Sequence, residues 1–221
     1  MRICCNLDLQ VKTGRYVGMI VGFVKELDEI SAAIAACRRC ELANTRSKVV
    51  PGEGSHRAEV IFIGEAPGRE EDAQGRPFVG RAGKLLDRLL AEIGIGRSEV
   101  FIGNVLKCRP ASSEGKDRKP TEREVSACSH FLDSQIEKIK PKVICTLGDT
   151  ATQYVLQKYG IKPDGISKIH GRVFKAGNLK IIPLYHPAAA LYTYRLERVM
   201  REDFKKLKSI LDQRTLEGFV G

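Results

Sequence analysis

No stretch of the chain approaches the roughly 20 consecutive apolar residues that a bilayer-spanning helix needs, so the residue pattern excludes a transmembrane helix. The early apolar run Val17 to Val24 follows Lys12 and Arg15 in the manner of a secretion signal. It lacks a small-residue cleavage site, however, and runs directly into Lys25-Glu26-Leu27-Asp28-Glu29. A cytoplasmic protein is expected. Acidic residues are in deficit, 27 against 37 basic ones, for a formal charge of +10. That balance suits a polyanionic partner or an acidic surface better than a small neutral ligand alone, although a generically basic soluble protein shares it. The chain also lacks an even number of cysteines. Seven cannot all pair into disulfides, and clustered cysteines in a cytosolic protein more often serve metal or redox chemistry.

What is present supports one hydrophobic core. With 221 residues, 43% of them hydrophobic, the chain is too short for two full-sized domains. Residues 1–22 lack periodicity and read as a poorly ordered extension, or as an upstream start whose counterpart is Met19. A single domain is expected over 23–212 and a tail over 213–221. Apolar residues at Phe23, Leu27, Ile30 and Ile34 have helical spacing. Glu59 to Ile63 is a β-branched run stopped by Gly64, and Val100 to Leu106 is a second strand candidate. Helices are expected over Gly83 to Ile93 and from Thr121 to Ile139, the latter opened by the capping box Thr121-Glu122-Arg123-Glu124. Lys142 to Leu147 is a third strand, followed by helix-forming residues from Asp149 to Lys158. Val173 to Ala176 and Leu179 to Leu184 flank the turn Gly177-Asn178 as a hairpin leading into the fourth main strand. Arg195 to Leu211 is the closing helix. Strands separated by helices imply an α/β fold: a three-layer α/β/α sandwich on a mainly parallel, four-stranded central sheet.

In such sheets the loops at the carboxyl ends of the strands carry the site. The unusual residues gather there. The first strand empties into Gly64-Glu65-Ala66-Pro67-Gly68, the second into Asn104 and Cys108, and the fourth into His186-Pro187. Each has a plainer explanation taken singly: a turn, a cap, a structural histidine. Their coincidence at one sheet edge points to a single cleft. Four cysteines also stand apart from the rest. Cys37-x-x-Cys40 ends the first helix, Cys108 follows the second strand, and Cys128 lies in the third helix. Four thiolates can bind zinc or hold a [4Fe-4S] cluster, and spacing alone does not choose between them. Cys145, in an apolar strand, reads as a small core residue.

The segments Gly64-Glu65-Ala66-Pro67-Gly68, Gly75-Arg76-Pro77-Phe78-Val79-Gly80-Arg81-Ala82-Gly83, Asn104-Val105-Leu106-Lys107-Cys108-Arg109-Pro110 and His186-Pro187-Ala188-Ala189 resemble those of the family 4 uracil-DNA glycosylases. The likeness runs from about Ile30 to Leu211. It implies a [4Fe-4S] cluster on Cys37, Cys40, Cys108 and Cys128, and release of uracil from single- or double-stranded DNA by hydrolysis of the N-glycosidic bond. By this resemblance Phe78 stacks on the flipped uracil, Asn104 reads its N3-H and O4 edge, and His186 steadies the departing base through O2. Where family 1 enzymes have an Asp, two residues after the first glycine, this chain has Ala66. Glu65 is then the first candidate for steering water and Glu71 the second. Equally, the backbone around Ala66 is a candidate water holder. Leu191 resembles the wedge residue of the family's insertion loop. Basic groups at Arg76, Arg81, Lys84, Lys107, Arg109 and Arg195 are candidates for phosphate contacts. The stretch Ser112 to Lys119 reads as a DNA-facing loop or a solvent-exposed insertion. A sliding clamp is a candidate partner, and a monomer is expected. A histidine-trapping relative within the superfamily, a glycosylase branch with wider substrates, and a non-catalytic nucleic-acid binder are the rival readings.

Overall fold

The computed structural model describes residues 26–191 and 193–217, the last four through their backbone alone. The expected extension over 1–22, Phe23 at the expected helix start, and residues 218–221 of the expected tail lie outside the described residues. In chain order the elements are α1 (26–36), α2 (Leu42–Thr45), β1 (Glu53–Gly54), β2 (Val60–Gly64), α3 (Arg69–Gln74), α4 (Arg81–Glu92), a 3-10 turn at Arg97–Glu99, β3 (Phe101–Asn104), α5 (Glu122–Ile139), β4 (Val143–Leu147), α6 (Asp149–Lys158), α7 (Ile166–Ile169), β5 (Phe174–Ala176), β6 (Leu179–Leu184), α8 (Pro187–Ala190) and α9 (Tyr194–Glu217).

A parallel strand covered on both faces must be apolar at consecutive positions. β2 and β4 obey this, with every residue buried, and they occupy the middle of a sheet ordered β1-β3-β2-β4-β6-β5. The four inner strands run parallel. The sheet has six strands, where a four-stranded central sheet with one added hairpin arm was expected. β1 pairs antiparallel with β3 and β5 antiparallel with β6. β5 was expected as a hairpin arm, whereas β1 is two residues long and carries no hydrophobic pattern to read. Side chains alternate across the sheet, so β2 sends Ile61 and Ile63 into one core and Val60 and Phe62 into the other. The first core is closed by α5 and α6 through Phe131, Leu132, Ile136, Val155 and Leu156. The second is closed by α4 and α9 through Leu85, Leu86, Leu89, Met200, Phe204 and Leu207.

Local signals explain the ends. Thr121 Oγ1 accepts from the Glu124 backbone N–H at 3.3 Å while the Glu124 carboxylate accepts from the Thr121 N–H at 2.8 Å, the expected capping box. α4 starts at Arg81, two residues before the expected Gly83. Its buried Leu85, Leu86, Leu89 and Leu90 each contribute roughly 1.5–3 kcal/mol relative to exposure, which fixes the helix and its amino end beside the site. α9 continues to Glu217, past the expected domain limit at 212. Among the described residues no helix is long and apolar enough to cross a membrane.

Candidate active site

A cleft of about 600 Å³ opens where β2, β3, β4 and β6 end, and Glu65, Phe78, Asn104, Gly148, His186 and Leu191 are among the residues that form its walls. The backbone there is firmly held. After β2 and β3 stop pairing as strands, the Val105 N–H still donates to the Gly64 carbonyl at 2.9 Å and the Leu106 N–H to the Glu65 carbonyl at 3.1 Å. Asn104, at the last position of β3, is 2% exposed, and its Oδ1 has no hydrogen-bond partner. A buried acceptor left unpaired costs about 1–3 kcal/mol. Such an atom is an acceptor waiting for a donor. A Cβ on Gly64 would overlap Asn104 Oδ1 and come within 2.7 Å of Phe78 Cζ, so glycine leaves the room in which amide and ring approach each other.

Phe78 forms the facing wall. It is 6% exposed, its ring centroid lies 5.6 Å from that of His186, and its φ is +50°. A non-glycine residue in this left-handed region carries strain of about 1–3 kcal/mol and persists only where its surroundings over-determine it. Gly83 contributes by letting the backbone close in, since a Cβ there would overlap the Phe78 carbonyl. His186 caps the short α8. Its Nδ1 accepts from the Ala188 N–H at 3.1 Å, which leaves the ring proton on Nε2 as a donor. Burial pushes its pKa down to about 4, against a smaller opposing pull from Glu71, so the ring is neutral at physiological pH.

The two candidate carboxylates differ. Glu65 lines the cleft, and its Oε2 accepts a hydrogen bond from Thr150 Oγ1 at the start of α6. Glu71 also faces the cleft, but its oxygens are already engaged. Oε1 accepts from the Val79 and Gly80 N–H groups at 2.9 and 3.0 Å, and Oε2 from the Gly68 N–H at 3.2 Å. Glu71 thus fastens the Gly64–Gly68 turn to the Gly75–Gly83 run. Ala66 also lies in the cleft wall.

Of the basic candidates, Arg81 lines the cleft and Lys84 is exposed one turn further along α4; Arg195 is exposed on α9. Three others are committed elsewhere. Arg76 pairs with Glu53, and Arg109 is bound to Asp117 and the Gly115 carbonyl. Lys107 is 1% exposed, donating to the Asn104 carbonyl at 2.9 Å and Gln135 Oε1 at 2.7 Å, so it cannot meet a phosphate. The sequence could not show that its side chain turns inward. From the Ser112–Lys119 stretch, Asp117, Arg118 and Lys119 contribute to the cleft wall. Leu191, at the end of α8, also lines the cleft.

Cys37, Cys40, Cys108 and Cys128 surround one small space between α1, the β3–α5 connection and α5, and none is in a disulfide. Donors point at the sulfurs: Arg46 reaches Cys108 Sγ and the Lys107 N–H reaches Cys128 Sγ, each at 3.2 Å. Burial raises the Cys128 pKa to about 11 and also raises that of Cys108, which Arg46 partly offsets. Among the described residues no group of three or more His, Cys, Asp or Glu is arranged around a single ion. Cys145 is a buried residue of β4, as expected.

Sequence reasoning missed the end of β4. Gly148, with φ +90°, brings the chain so close to His186 that a Cβ would lie 3.1 Å from His186 Cβ, and Thr150 holds Glu65. The strand-end rule that picked out the other three loops applies equally to this one. Arg97 was missed as well; its donors reach the Pro77 and Phe78 carbonyls, and no motif announces it.

The profile of the uracil DNA glycosylase superfamily matches residues 51–208. The chain is 44% identical over 203 residues to the type-4 uracil-DNA glycosylase of Sulfurisphaera tokodaii, covering 88% of this chain and 90% of that protein. It is 45% identical over 201 residues to the type-4 uracil-DNA glycosylase of Saccharolobus solfataricus, covering 88% and 91%. With the type-4 uracil-DNA glycosylase of Thermotoga maritima it shares 44% identity over 191 residues, covering 85% and 96%. Matched by that profile over most of its length and this similar to proteins of that type, the chain belongs to the uracil DNA glycosylase superfamily, among its type-4 members.

Proposed function

We infer that the chain releases uracil from DNA and that the cleft holds the extruded nucleotide during the reaction. The glycosidic bond of a stacked base is out of reach, so the nucleotide must leave the helix, which costs a few kcal/mol of unstacking. Leu191, on the cleft rim, would fill the gap in the stack, and the exposed Arg81 and Lys84 would hold phosphates beside it. The flipped base slides against Phe78. Asn104 then pairs with its N3-H and O4 edge, and the observation that carries this reading is the orphaned Asn104 Oδ1, a buried acceptor without a partner on a residue of the cleft wall. Cytosine has an unprotonated N3 and a donor at its exocyclic amine, so an amide held in one orientation rejects it.

As the C1′–N1 bond breaks, its electron pair leaves with the base and the sugar becomes cation-like. Nε2–H of His186 donates to O2 and strengthens its bond as the anion forms, the role of an oxyanion-hole donor. Glu65, with one oxygen held by Thr150, faces the sugar and orients the water whose oxygen adds to C1′. That water gives up a proton, uracil gains one, and the DNA keeps an abasic site. Glu71 acts in this reading by holding the two loops together.

The donor set and chemistry of the four cysteines fit a [4Fe-4S] cluster. All four side chains line one space, none is in a disulfide, and N–H donors reach the sulfurs of Cys108 and Cys128. Cys37, Cys40, Cys108 and Cys128 would hold it, and it would tie α1 to α5 and to the segment after Asn104. The expected substrates are uracil-containing oligonucleotides, single- or double-stranded, bound by one copy of the chain. The test is incubation of iron-replete protein with a uracil-containing single strand, followed by alkaline cleavage. Strand scission at uracil alone is expected; binding with the strand left intact would leave only the non-catalytic reading.

A further inference from the structure

The aromatic wall of the cleft is gripped from behind by a residue that does not itself line the cleft. Arg97, in the turn before β3, donates from one guanidinium nitrogen to the Phe78 carbonyl at 3.3 Å and from the other to the Pro77 carbonyl at 2.5 Å. These two carbonyls belong to the peptide groups on either side of the Phe78 α-carbon. Holding both fixes the rotation between them, and therefore fixes φ and ψ of Phe78. That is the residue whose φ of +50° an L-amino acid disfavours. The guanidinium is in turn anchored by Asp87 of α4 at 2.7 Å and by Glu53 of β1 at 3.3 Å. Glu53 also binds Arg76, one residue before Pro77, through two contacts at 2.6 and 2.9 Å, and these cations hold its carboxylate below the ordinary range. A planar fork with several fixed donors can span two carbonyls; a lysine ammonium cannot reproduce that geometry.

We propose that Arg97 is a positioning residue for base recognition: it clamps the Pro77 and Phe78 carbonyls and so holds the Phe78 ring where the extruded uracil stacks. The proposal rests on the reading of Phe78 as that stacking surface. Freed from the clamp, Phe78 relaxes toward negative φ, and its ring leaves the position facing Asn104 and His186. The short edge strand β1 then has a purpose, since it carries Glu53 to the back of the clamp. The Arg97-Glu53-Arg76 network is not a surface ornament in this view.

The probe is free uracil, used as an inhibitor of the iron-replete full-length enzyme acting on a uracil-containing single strand, with melting temperature and iron content measured in parallel. Arg97→Ala is expected to weaken uracil inhibition about tenfold, in line with the loss of one base-aromatic stack. Arg97→Lys, which keeps the charge and most of the packing, is expected to fall between Arg97→Ala and wild type and to keep the proposal testable if Arg97→Ala fails to fold. The distinguishing result is non-additivity: in a Phe78→Ala background, Arg97→Ala should weaken uracil inhibition no further. Full additivity, or uracil inhibition unchanged in Arg97→Ala and Arg97→Lys despite a lower melting temperature, would reduce Arg97 to a structural role and overturn the proposal. If Phe78→Ala alone leaves uracil inhibition unchanged, the stacking reading itself fails and takes this inference with it.

Discussion

In the proposed reading Asn104 recognises the base and His186 serves the chemistry, and single substitutions should separate the two roles. Asn104→Asp replaces a fixed donor-acceptor pair by acceptors alone, which match the exocyclic amine of cytosine better than O4 of uracil. The uracil-over-cytosine ratio of kcat/KM should fall by at least about tenfold; an unaltered ratio would remove Asn104 from base reading. His186→Ala should lower kcat by about 10²–10³-fold with little change in DNA affinity, because the bond it removes strengthens toward the transition state. The pH dependence follows from the ring's low pKa. An ordinary histidine gains its proton near 6.5, whereas His186 does so only near 4. Turnover should therefore stay flat as pH falls through 6.5 and change only on approach to 4. Between these values the unfolded chain binds the extra proton and the folded one does not, so stability falls as pH drops across that window, and His186→Asn should flatten that part of the melting curve. That these two residues share one cleft was legible because they stand at strand ends in distinctive motifs. Lys107 and Arg109 were misread because charge alone does not reveal whether a side chain faces solvent or turns inward.

At the scale of elements, the site depends on loops held to one another. α3 exists largely to present Glu71, whose carboxylate accepts from Gly68, Val79 and Gly80. Glu71→Gln keeps the shape but supplies one acceptor and a competing amine. We expect a loss of about 1–3 kcal/mol of stability from the unsatisfied N–H groups, together with reduced turnover. Melting temperature and kcat should fall together; a large drop in kcat with an unchanged melting temperature would point instead to Glu71 acting on water directly. The helices and inner strands were readable because burial on both faces writes a continuous apolar run and because α5 announces itself with a capping box. β1 and the Arg97 turn were not readable. Their work is done through backbone carbonyls and through partners such as Phe78 and Glu53, 19 and 44 positions away, and neither leaves a periodic trace.

Across the whole molecule, the four cysteines join one core and not the other. Cys108 and Cys128 pack into the core that α5 and α6 close, whereas the core under α4 and α9 contains none of the four. With the proposed cluster held there, Cys108→Ala, or removal of iron with a chelator, should unfold the α1–α5 side first. Hydrogen exchange should rise there before it rises in α4 and α9, with the visible thiolate-iron absorbance lost beforehand. Survival of both colour and melting temperature in Cys108→Ala would mean that the ligand set is wrong. Because Asn104 and Cys108 share one short connection, base reading should decline with the metal.

The sheet's outermost strands are stubs of two and three residues that run against their neighbours. Little open backbone is thereby offered along either margin for another copy to zip onto, which is how natural β proteins discourage sticking to themselves. Sedimentation of a concentrated stock should accordingly report a lone particle, and an extended flank created by lengthening β1 is where self-association would first appear.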